Sequence, residues 1–219
     1  MSKFTGTPKP QLAILGASGH GKVVADMAEL LGYACVFFDD AYPDKQTNEV
    51  WSIVGTSADL YTRLSEFAGV AVAIGNNAIR AQKLQELQNL GAVLPCLIHP
   101  NAVVSQYARI GAGSVVFAGV AVNAFTQVGM GAILNTGCTV DHDCRLGDAV
   151  HVSPGANLAG GVTVEDHAWV GIGASIRQLA TIGANATIGA SCVVLKNIPA
   201  DAVVVGNPAK PLQKHSSAI

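Results

Sequence analysis

An aliphatic residue stands at every sixth position from Ile98 to Val194 without one insertion, and this repeat constrains the fold more than any other feature. A small or compact residue follows each of them four positions later, as Ala102 follows Ile98. Neither an amphipathic helix nor a half-buried strand keeps a six-residue period, whereas a hexapeptide repeat is typical of a parallel β-helix. More than half of the chain is therefore predicted to be a scaffold, and functional residues are expected where side chains break the repeat.

The repeat also predicts the dimensions of this β-helix. Three hexapeptides make one triangular coil of about 18 residues, and successive coils rise by about 4.8 Å, the spacing of hydrogen-bonded strands. Residues 18 apart then stack on the same edge of the prism, over about five coils. The period does not determine the direction in which the coil winds. The flat sides of so narrow a prism favour assembly into an oligomer.

The composition indicates a soluble cytoplasmic protein. Half of the residues are hydrophobic (50%), yet no apolar stretch approaches the ~18–20 residues needed to cross a bilayer. The net charge is −2 and there is no cluster of Lys or Arg, which argues against nucleic acid as a partner. The N-terminus lacks the apolar region of a secretory signal. The five cysteines form no CxxC pair, and three of them occupy compact positions of the repeat, as expected for reduced thiols in a core.

Before the repeat, strand-like and helix-like segments alternate. Strands are predicted at residues 11–15, 34–38 and 70–74, and helices at residues 22–31 and 78–90. Such alternation favours a small parallel sheet with right-handed crossovers. We therefore expect a Rossmann-like α/β domain over residues 11–95, an all-β parallel β-helix over residues 96–205 and a C-terminal tail over residues 206–219.

A glycine-rich turn over residues 16–22, Gly-Ala-Ser-Gly-His-Gly-Lys, links the first strand to the first helix. Backbone N–H groups and the positive end of a helix dipole favour a phosphate at such a place. The turn comes within one residue of a P-loop, but Val23 stands where the magnesium-binding hydroxyl belongs, which argues against an NTPase. Asp39 and Asp40 end the next strand and Gly75 ends the third, so all three are expected to line the same crevice. The turn thus predicts a nucleotide-type ligand, and the alternative is a tight turn with no ligand.

A second candidate site centres on His142, in the segment Asp141-His-Asp143. Its place in the repeat predicts a side chain that projects outward near a corner of the prism. A histidine is the natural general base at neutral pH, and an adjacent carboxylate would raise its basicity. Gly160 lies 18 residues later on the same edge, where its backbone N–H could stabilise an oxyanion. His142 as a solvated surface residue remains the alternative.

His151, nine residues after His142, should face a different side of the same chain. If both histidines serve one site, they are expected to meet between neighbouring subunits. A structural metal held by Asp141, His142, Asp143 and His151 is a further alternative. The opposed faces, and the absence of Cys and His at zinc spacing, argue against it.

These residues together resemble the sugar O- and N-acyltransferases of the left-handed β-helix superfamily, and among them the PglD type, which acetylates a UDP-4-amino-4,6-dideoxy sugar. The resemblance runs from the glycine turn through Asn135 and Asp-His-Asp143 to Gly-Asn-Pro-Ala-Lys210. It implies left-handed winding, a homotrimer with active sites between subunits, His142 as general base and Asp143, often Glu in the family, as its enhancer. The implied acetyl-CoA contacts are His151, Ile172 and Ala190. The implied sugar-nucleotide contacts are Gly19, His20, Gly21, Asp39, Asp40, Gly75 and Asn135.

The expected function is acetyl transfer from acetyl-CoA to the 4-amino group of a nucleotide-linked sugar, as in the formation of UDP-N-acetylbacillosamine. No metal is required, because a thioester is already activated. Three alternatives stay open. They are acetylation of another acceptor (a dTDP- or GDP-linked 4-amino sugar, or a sialic acid hydroxyl), a non-catalytic scaffold that binds a nucleotide sugar, and, least in keeping with the short first domain, a sugar nucleotidyltransferase.

Overall fold

The computed structural model describes residues 9–212, so the first eight residues and His215 lie outside the described part. The N-terminal unit is a three-stranded parallel sheet, in the order β2-β1-β5, with helices packed against it. Its elements are β1 (Gln11–Leu15), α1 (Gly19–Leu30), β2 (Ala34–Phe38), β3 (Thr47–Asn48), β4 (Trp51–Ser52), α2 (Ser57–Thr62), a 3₁₀ turn (Leu64–Glu66), β5 (Gly69–Val72) and α3 (Asn77–Asn89). The predicted α/β unit is confirmed.

The first helix begins earlier than predicted, at Gly19 instead of residue 22. Ser18 has an extended backbone (φ −100°, ψ −169°) and occupies the N-cap position without a capping hydrogen bond from its side chain, so Gly19 to Gly21 form the first turn. A side chain at Gly21 could not fit, because a Cβ there would lie 2.5 Å from the carbonyl oxygen of Gly16. The glycine segment is therefore the start of a helix packed closely on the sheet, a place where backbone N–H groups are free to bind an anion.

Residues 97–205 wind into a parallel β-helix, which confirms the main prediction from the repeat. Its strands are β6 (Leu97–Ile98), β7 (Val103–Val104), β8 (Arg109–Ile110), β9 (Val115–Val116), β10 (Ala121–Val122), β11 (Gln127–Val128), β12 (Ile133–Leu134), β13 (Thr139–Val140), β14 (Arg145–Leu146), β15 (His151–Val152), β16 (Asn157–Leu158), β17 (Thr163–Val164), β18 (Trp169–Val170), β19 (Ser175–Ile176), β20 (Thr181–Ile182), β21 (Thr187–Ile188), β22 (Val193–Val194) and β23 (Val203–Val205).

From β6 to β22, strands that are three apart in sequence pair in parallel and form three sides. These have six strands, five strands and, where one side continues through β23 to β24 (Lys210–Pro211), eight strands. Ile133, for example, lies opposite Val115 and His151, which gives the predicted 18-residue coil. From Val116 onwards both predicted columns, the aliphatic residues and the compact residues four positions after them, are buried in one continuous core. Cys138, Cys144 and Cys192 are buried there as free thiols.

The corners of the prism are turns with a left-handed residue at every sixth position from Gly113 to Ser191. Many of these residues are glycine, for which the conformation has no steric cost, whereas another L-residue there costs about 1–2 kcal/mol. On two corners every such position holds a glycine or a small or polar residue, namely Gly113, Gly131, Ala149, His167 and Asn185 on one, and Gly119, Gly137, Gly155, Gly173 and Ser191 on the other. The third corner carries Phe125, Asp143, Gly161 and Leu179.

The segment after the β-helix, predicted as a tail from residue 206, continues the fold up to residue 212. Gly206 (φ +91°) turns the chain back, and β24 (Lys210–Pro211) pairs antiparallel to β23. The N–H of Leu212 donates to the carbonyl of Val203 at 2.8 Å. The edge of the eight-stranded side offers unpaired backbone N–H and C=O groups, and residues 210–211 pair with them. The composition of this segment does not predict that pairing.

A buried arginine joins the two units. Arg80, on α3, is 1% exposed, and its guanidinium donates to the carbonyl oxygens of Gly131 (2.8 Å) and Ala149 (2.8 Å) in the β-helix. It also donates to the carbonyl of Ile74 (2.9 Å) and to the side chain of Asn77 (2.8 Å). Burial lowers its pKa to about 10, so it stays charged at neutral pH. The hydrogen bonds of Arg80 to Gly131 and Ala149 hold the α/β unit against the eight-stranded side of the prism.

Within residues 9–212, no helix is long and apolar enough to cross a membrane.

We predict that Arg80→Met lowers the free energy of unfolding by about 2–4 kcal/mol, because several buried carbonyl oxygens lose their donor. Urea denaturation followed by circular dichroism measures the change. The matched control is Arg177→Met, which removes an exposed arginine that donates to the carbonyl of Leu195 at 3.3 Å and should change the midpoint little. Equal shifts for both variants would contradict the role of Arg80.

Candidate active site

His142 lies in the turn between β13 and β14, at the corner where the six-stranded and five-stranded sides meet. We call the turns stacked on this edge (residues 105–108, 123–126, 141–144, 159–162 and 177–180) the His142 vertex. The His142 side chain is 60% exposed, which confirms that it projects outward. Its Nδ1–H donates to Oδ2 of Asp143 at 2.7 Å. The neutral ring that donates from Nδ1 carries its lone pair on Nε2, the atom left to accept a proton.

Two carboxylates make this imidazole more basic than an ordinary one. The hydrogen bond to Asp143 is the main cause that raises the pKa of His142 above 6.5, and the charge of Asp141 adds to it. Asp141 is held in place by Asn123, whose Nδ2 donates to Oδ1 at 2.8 Å, and by the backbone N–H of His142, also at 2.8 Å. Both neighbouring carboxylates therefore act on His142, Asp143 through a hydrogen bond and Asp141 through its charge.

Gly160 lies directly against the imidazole ring, one coil further along the His142 vertex. A Cβ at this position would be 2.6 Å from Nε2 of His142, so only glycine leaves the ring where it is. Among residues 9–212 the N–H of Gly160 has no hydrogen-bond acceptor. The predicted stacking of positions 142 and 160 is thus confirmed, and an unpaired N–H lies in the residue that touches the candidate base.

His151 occupies a different environment, on β15 in the eight-stranded side. It is 8% exposed, stacks on Trp169 with ring centroids 4.8 Å apart, and has Nε2 3.3 Å from Nδ2 of Asn135. Burial, and then the charges of Arg80 and His20, lower its pKa to about 3. The prediction that His142 and His151 face different sides of one chain is confirmed.

His20, the histidine of the glycine turn, lies at the junction of the two units. Its ring meets Phe117 of the β-helix edge to face at 5.7 Å. Burial, and then the charge of Arg80, lower its pKa to about 4. Within the described chain, Nε2 of His20 and Nδ1 of His151 are enclosed and have no hydrogen-bond partner. Both rings are neutral at physiological pH and can offer hydrogen bonds, but neither matches His142 as a base.

The candidate nucleotide site is a cleft of about 290 Å³ at the carboxyl ends of β1, β2 and β5. It is lined by Gly16, Asp39, Asp40, Gly75 and Lys83 among others. Gly75 borders open space, since a Cβ there would meet no atom within 4 Å. The predicted convergence of the glycine turn and the acidic pair in one crevice is confirmed.

The two aspartates of this cleft already have backbone partners. Asp39 accepts the N–H of Ala17 at 2.6 Å and the N–H of Ala41 at 3.0 Å, and so braces the glycine turn. Asp40 accepts the N–H of Ser57 at 2.8 Å, and hydrogen bonds from Ser57 lower its pKa. Each carboxylate is therefore fixed in position and keeps acceptor capacity toward the cleft.

One chain does not bring this cleft to His142. The α/β unit packs on the eight-stranded side, where Leu97, Val115, Phe117 and Ile133 join its core. The His142 vertex is the corner opposite that side, between the other two sheets. Ile172, which is 60% exposed, and Ala190 lie 18 residues apart on yet another corner, which they share with Asn135. Within a single chain, His142 is thus separated from the predicted nucleotide and acetyl-CoA residues, whereas Asn135 and His151, one from each of those two sets, lie together.

Among residues 9–212, no group of three His, Cys, Asp or Glu side chains is arranged to hold a metal ion.

The family described as PglD N-terminal domain matches residues 11–87. The solved structure of the acetyltransferase domain of PglB from Neisseria gonorrhoeae FA1090 is 44% identical, with a TM-score of 0.88, over 93% of this chain and 100% of that one. This chain belongs to the PglD-type family of sugar acetyltransferases. The same Neisseria domain has also been solved in complex with acetyl coenzyme A, at 43% identity and a TM-score of 0.86 over 94% of this chain and 100% of that one.

Two further relatives of this PglD-type chain carry substrate names. Perosamine N-acetyltransferase from Caulobacter crescentus, solved as a histidine-to-asparagine variant with CoA and GDP-perosamine, is 37% identical over 93% of this chain and 97% of that one, with a TM-score of 0.89. The curated UDP-N-acetylbacillosamine N-acetyltransferase from Bacillus subtilis (strain 168) is 35% identical over 110 residues. That match spans 49% of this chain and about half of the relative's length (51%).

Sequence reasoning missed Arg80 and Asn77, which join the two units. Asn77 donates from Nδ2 to the carbonyl oxygen of His167 at 2.8 Å. An arginine in the first turns of α3 has no local signature, because its partners lie more than 50 residues away in sequence. The glycines that recur at the corners could have predicted the left-handed turn positions, since a six-residue period of glycine indicates such positions.

We predict that Asp143→Asn lowers the pKa of His142 toward its ordinary value, because the amide cannot stabilise the imidazolium as the carboxylate does. Nuclear magnetic resonance titration of the His142 ring measures the shift directly. Asp201→Asn, at another exposed left-handed position, is the matched control and should leave the titration unchanged. An unaltered midpoint in Asp143→Asn would show that Asp143 does not set the basicity of His142.

Proposed function

We propose that this protein transfers the acetyl group of acetyl-CoA to the 4-amino group of a UDP-linked 4-amino-4,6-dideoxy sugar. One observation carries the proposal: Nε2 of an exposed, carboxylate-backed histidine lies against a glycine whose N–H has no acceptor in the described part of the chain. This pair supplies a general base and an oxyanion donor side by side, which is what acyl transfer needs. The named relatives support the class of reaction.

In the proposed reaction the sugar amine attacks the thioester carbonyl, and the new C–N bond forms as the carbonyl oxygen becomes an oxyanion. Nε2 of His142 takes one proton from the nitrogen, and Asp143 stabilises the resulting imidazolium. The N–H of Gly160 donates to the oxyanion. When the carbonyl re-forms, the C–S bond breaks and the proton passes from His142 to the leaving thiolate of CoA. Because the base must be neutral, kcat/KM should fall as the pH drops through the raised pKa of His142.

The acceptor nucleotide is proposed to occupy the cleft of the α/β unit. The first turn of α1, at Gly19, His20 and Gly21, offers free N–H groups and a positive dipole end to the diphosphate. Asp39 and Asp40 directly follow β2, at the distance along the chain where a ribose or base contact is expected. Gly75 leaves room for the ligand. Asn135, whose amide lies beside His151, is proposed to contact the acceptor sugar.

The donor is proposed to lie along the C-terminal coils, in contact with His151, Ile172 and Ala190. Ile172 is exposed on its corner and offers apolar surface to a pantetheine chain. His151 is neutral, so its ring can hydrogen-bond to an uncharged thioester or amide. The donor and the acceptor are both water-soluble nucleotide conjugates, and we propose that the reaction takes place in the cytoplasm.

We propose that the active site forms between the subunits of a homotrimer. The nucleotide cleft and the His142 vertex lie on opposite parts of one chain, so an acceptor held by one subunit reaches the base of another. A closed cyclic assembly makes every such site equivalent.

The identity of the nucleotide and of the sugar in the acceptor is the most specific part of this proposal. GDP- or dTDP-linked 4-amino sugars are the nearest alternatives, and one Caulobacter relative was solved with GDP-perosamine. A panel of UDP-, GDP- and dTDP-amino sugars with acetyl-CoA, followed by thiol release, separates them. A non-catalytic scaffold would release no thiol with any acceptor and would bind no acetyl-CoA in calorimetry.

We predict that His142→Ala lowers kcat by about 10²–10⁴, the usual contribution of a general base. Thiol release at saturating acetyl-CoA and acceptor measures it. His167→Ala is the control, because His167 also occupies a corner of the prism but lies at a different vertex. Near-normal turnover in His142→Ala would overturn the assignment of the base.

Mixed trimers test whether each site spans two subunits. Gly75→Phe should block the cleft without moving the backbone, since the position borders open space. Mixed trimers formed with His142→Ala and isolated through a separate tag on each variant should regain roughly one third of wild-type activity, because one site in three pairs an intact cleft with an intact base. If cleft and base of the same chain formed the site, every chain would carry one defect and the mixture would stay inactive.

A further inference from the structure

The His142 vertex differs from the other two corners in carrying bulky apolar side chains in the left-handed conformation. Phe125 has φ +63° and is 62% exposed, and Leu179 has φ +60° and is 76% exposed. Glycine, alanine, serine, asparagine and histidine occupy the equivalent positions elsewhere. A bulky residue with positive φ is a genuine outlier, and strain of this kind gathers at functional sites. Nothing in the described chain buries these side chains to offset the strain.

Phe125 does not stand alone. Its ring stacks on that of Tyr107, one coil below, with centroids 5.4 Å apart and planes inclined by 26°. Tyr107 is exposed as well. The pair borders a groove of about 510 Å³, whose other lining residues are Gln106, Ala108, Arg109 and Gln127. Aromatic faces rimmed by amide and guanidinium donors suit a ligand with one apolar face and several hydroxyl groups, which describes a pyranose ring.

We propose that the Phe125 ring, supported by Tyr107, forms the wall of the acceptor-sugar subsite and contacts C5 and the methyl group of a 6-deoxy sugar. This inference rests on the proposed function and adds to it the residue that selects for the missing 6-hydroxyl. A hydroxymethyl group in place of the methyl would turn its oxygen toward the face of the Phe125 ring, which offers that oxygen no conventional hydrogen bond.

The position of Phe125 relative to the base supports this role. The N–H of Asp143 donates to the carbonyl of Ala124 at 3.1 Å, so residues 124–125 lie one coil, about 4.8 Å, below residues 142–143. The reacting nitrogen must come within about 3 Å of Nε2 of His142. The ring carbons beside the amine-bearing carbon therefore lie within reach of a side chain one coil away.

The direction along the prism is consistent as well. Gly160, Ile172 and Ala190, the proposed oxyanion and donor residues, all lie on the C-terminal side of His142. Phe125 and Tyr107 lie on the N-terminal side of His142, away from those donor residues, so a sugar packed on the two rings leaves the C-terminal side of the base to the thioester.

The test compares Phe125→Gly with the matched control Leu179→Gly. Glycine adopts the left-handed conformation freely, so both variants keep the turn. Each is assayed with acetyl-CoA and two acceptors, the UDP-linked 4-amino-4,6-dideoxy sugar and its analogue with a 6-hydroxyl group. For the wild type we expect kcat/KM to favour the 6-deoxy acceptor by about 10–200-fold, the discrimination that one apolar contact provides.

In Phe125→Gly this preference should fall to less than about threefold through loss of the 6-deoxy reaction, with the KM for acetyl-CoA unchanged. Leu179→Gly should keep the wild-type preference. An unchanged preference in Phe125→Gly would overturn the inference, and so would dissociation of the trimer in light scattering, since the ring would then pack on a second copy of the chain. A wild type that acetylates neither acceptor would instead refute the proposed function.

Discussion

The backbone ladder between successive coils is the constraint on which the rest of this structure depends. From β6 to β22 each strand is only two residues long, and it is held because it pairs in register with the strands 18 residues before and after it. The aliphatic column buried inside the coil and the left-handed residue at each corner must keep this spacing together. A single inserted residue would move every later side chain to another face. The same ladder sets Gly160 against His142 and Phe125 beside Asp143.

The buried guanidinium of Arg80 determines how the α/β unit packs on the β-helix. It fixes α3 to two coils of the β-helix by hydrogen bonds to carbonyl oxygens, and it keeps its charge because all of its contacts are acceptors. With that junction in place, the candidate nucleotide cleft lies across the prism from His142. The proposed oligomer rests on this separation, because an acceptor held in the cleft of one chain would not reach His142 of that chain.

The fold also sorts its histidines by environment. His142 is exposed beside two carboxylates, and its pKa is raised. His20 and His151 are buried near a fixed positive charge, and their pKa values fall to about 4 and about 3. Only the first can take a proton at neutral pH, and the other two can serve only as neutral hydrogen-bonding groups. Residue type alone does not separate these roles, whereas burial and neighbouring charge do.

The sequence by itself determined the β-helix, its 18-residue coil, the outward direction of His142 and the glycine stacked on it. All of these follow from one short period, in which the environment of a residue is set by its place in the repeat. Only the tertiary structure decided the partners of Arg80, the burial of His151, the start of α1 at Gly19 and the strand at residues 210–211. Each of these depends on groups distant in the chain that meet through packing, and no local pattern encodes such a contact.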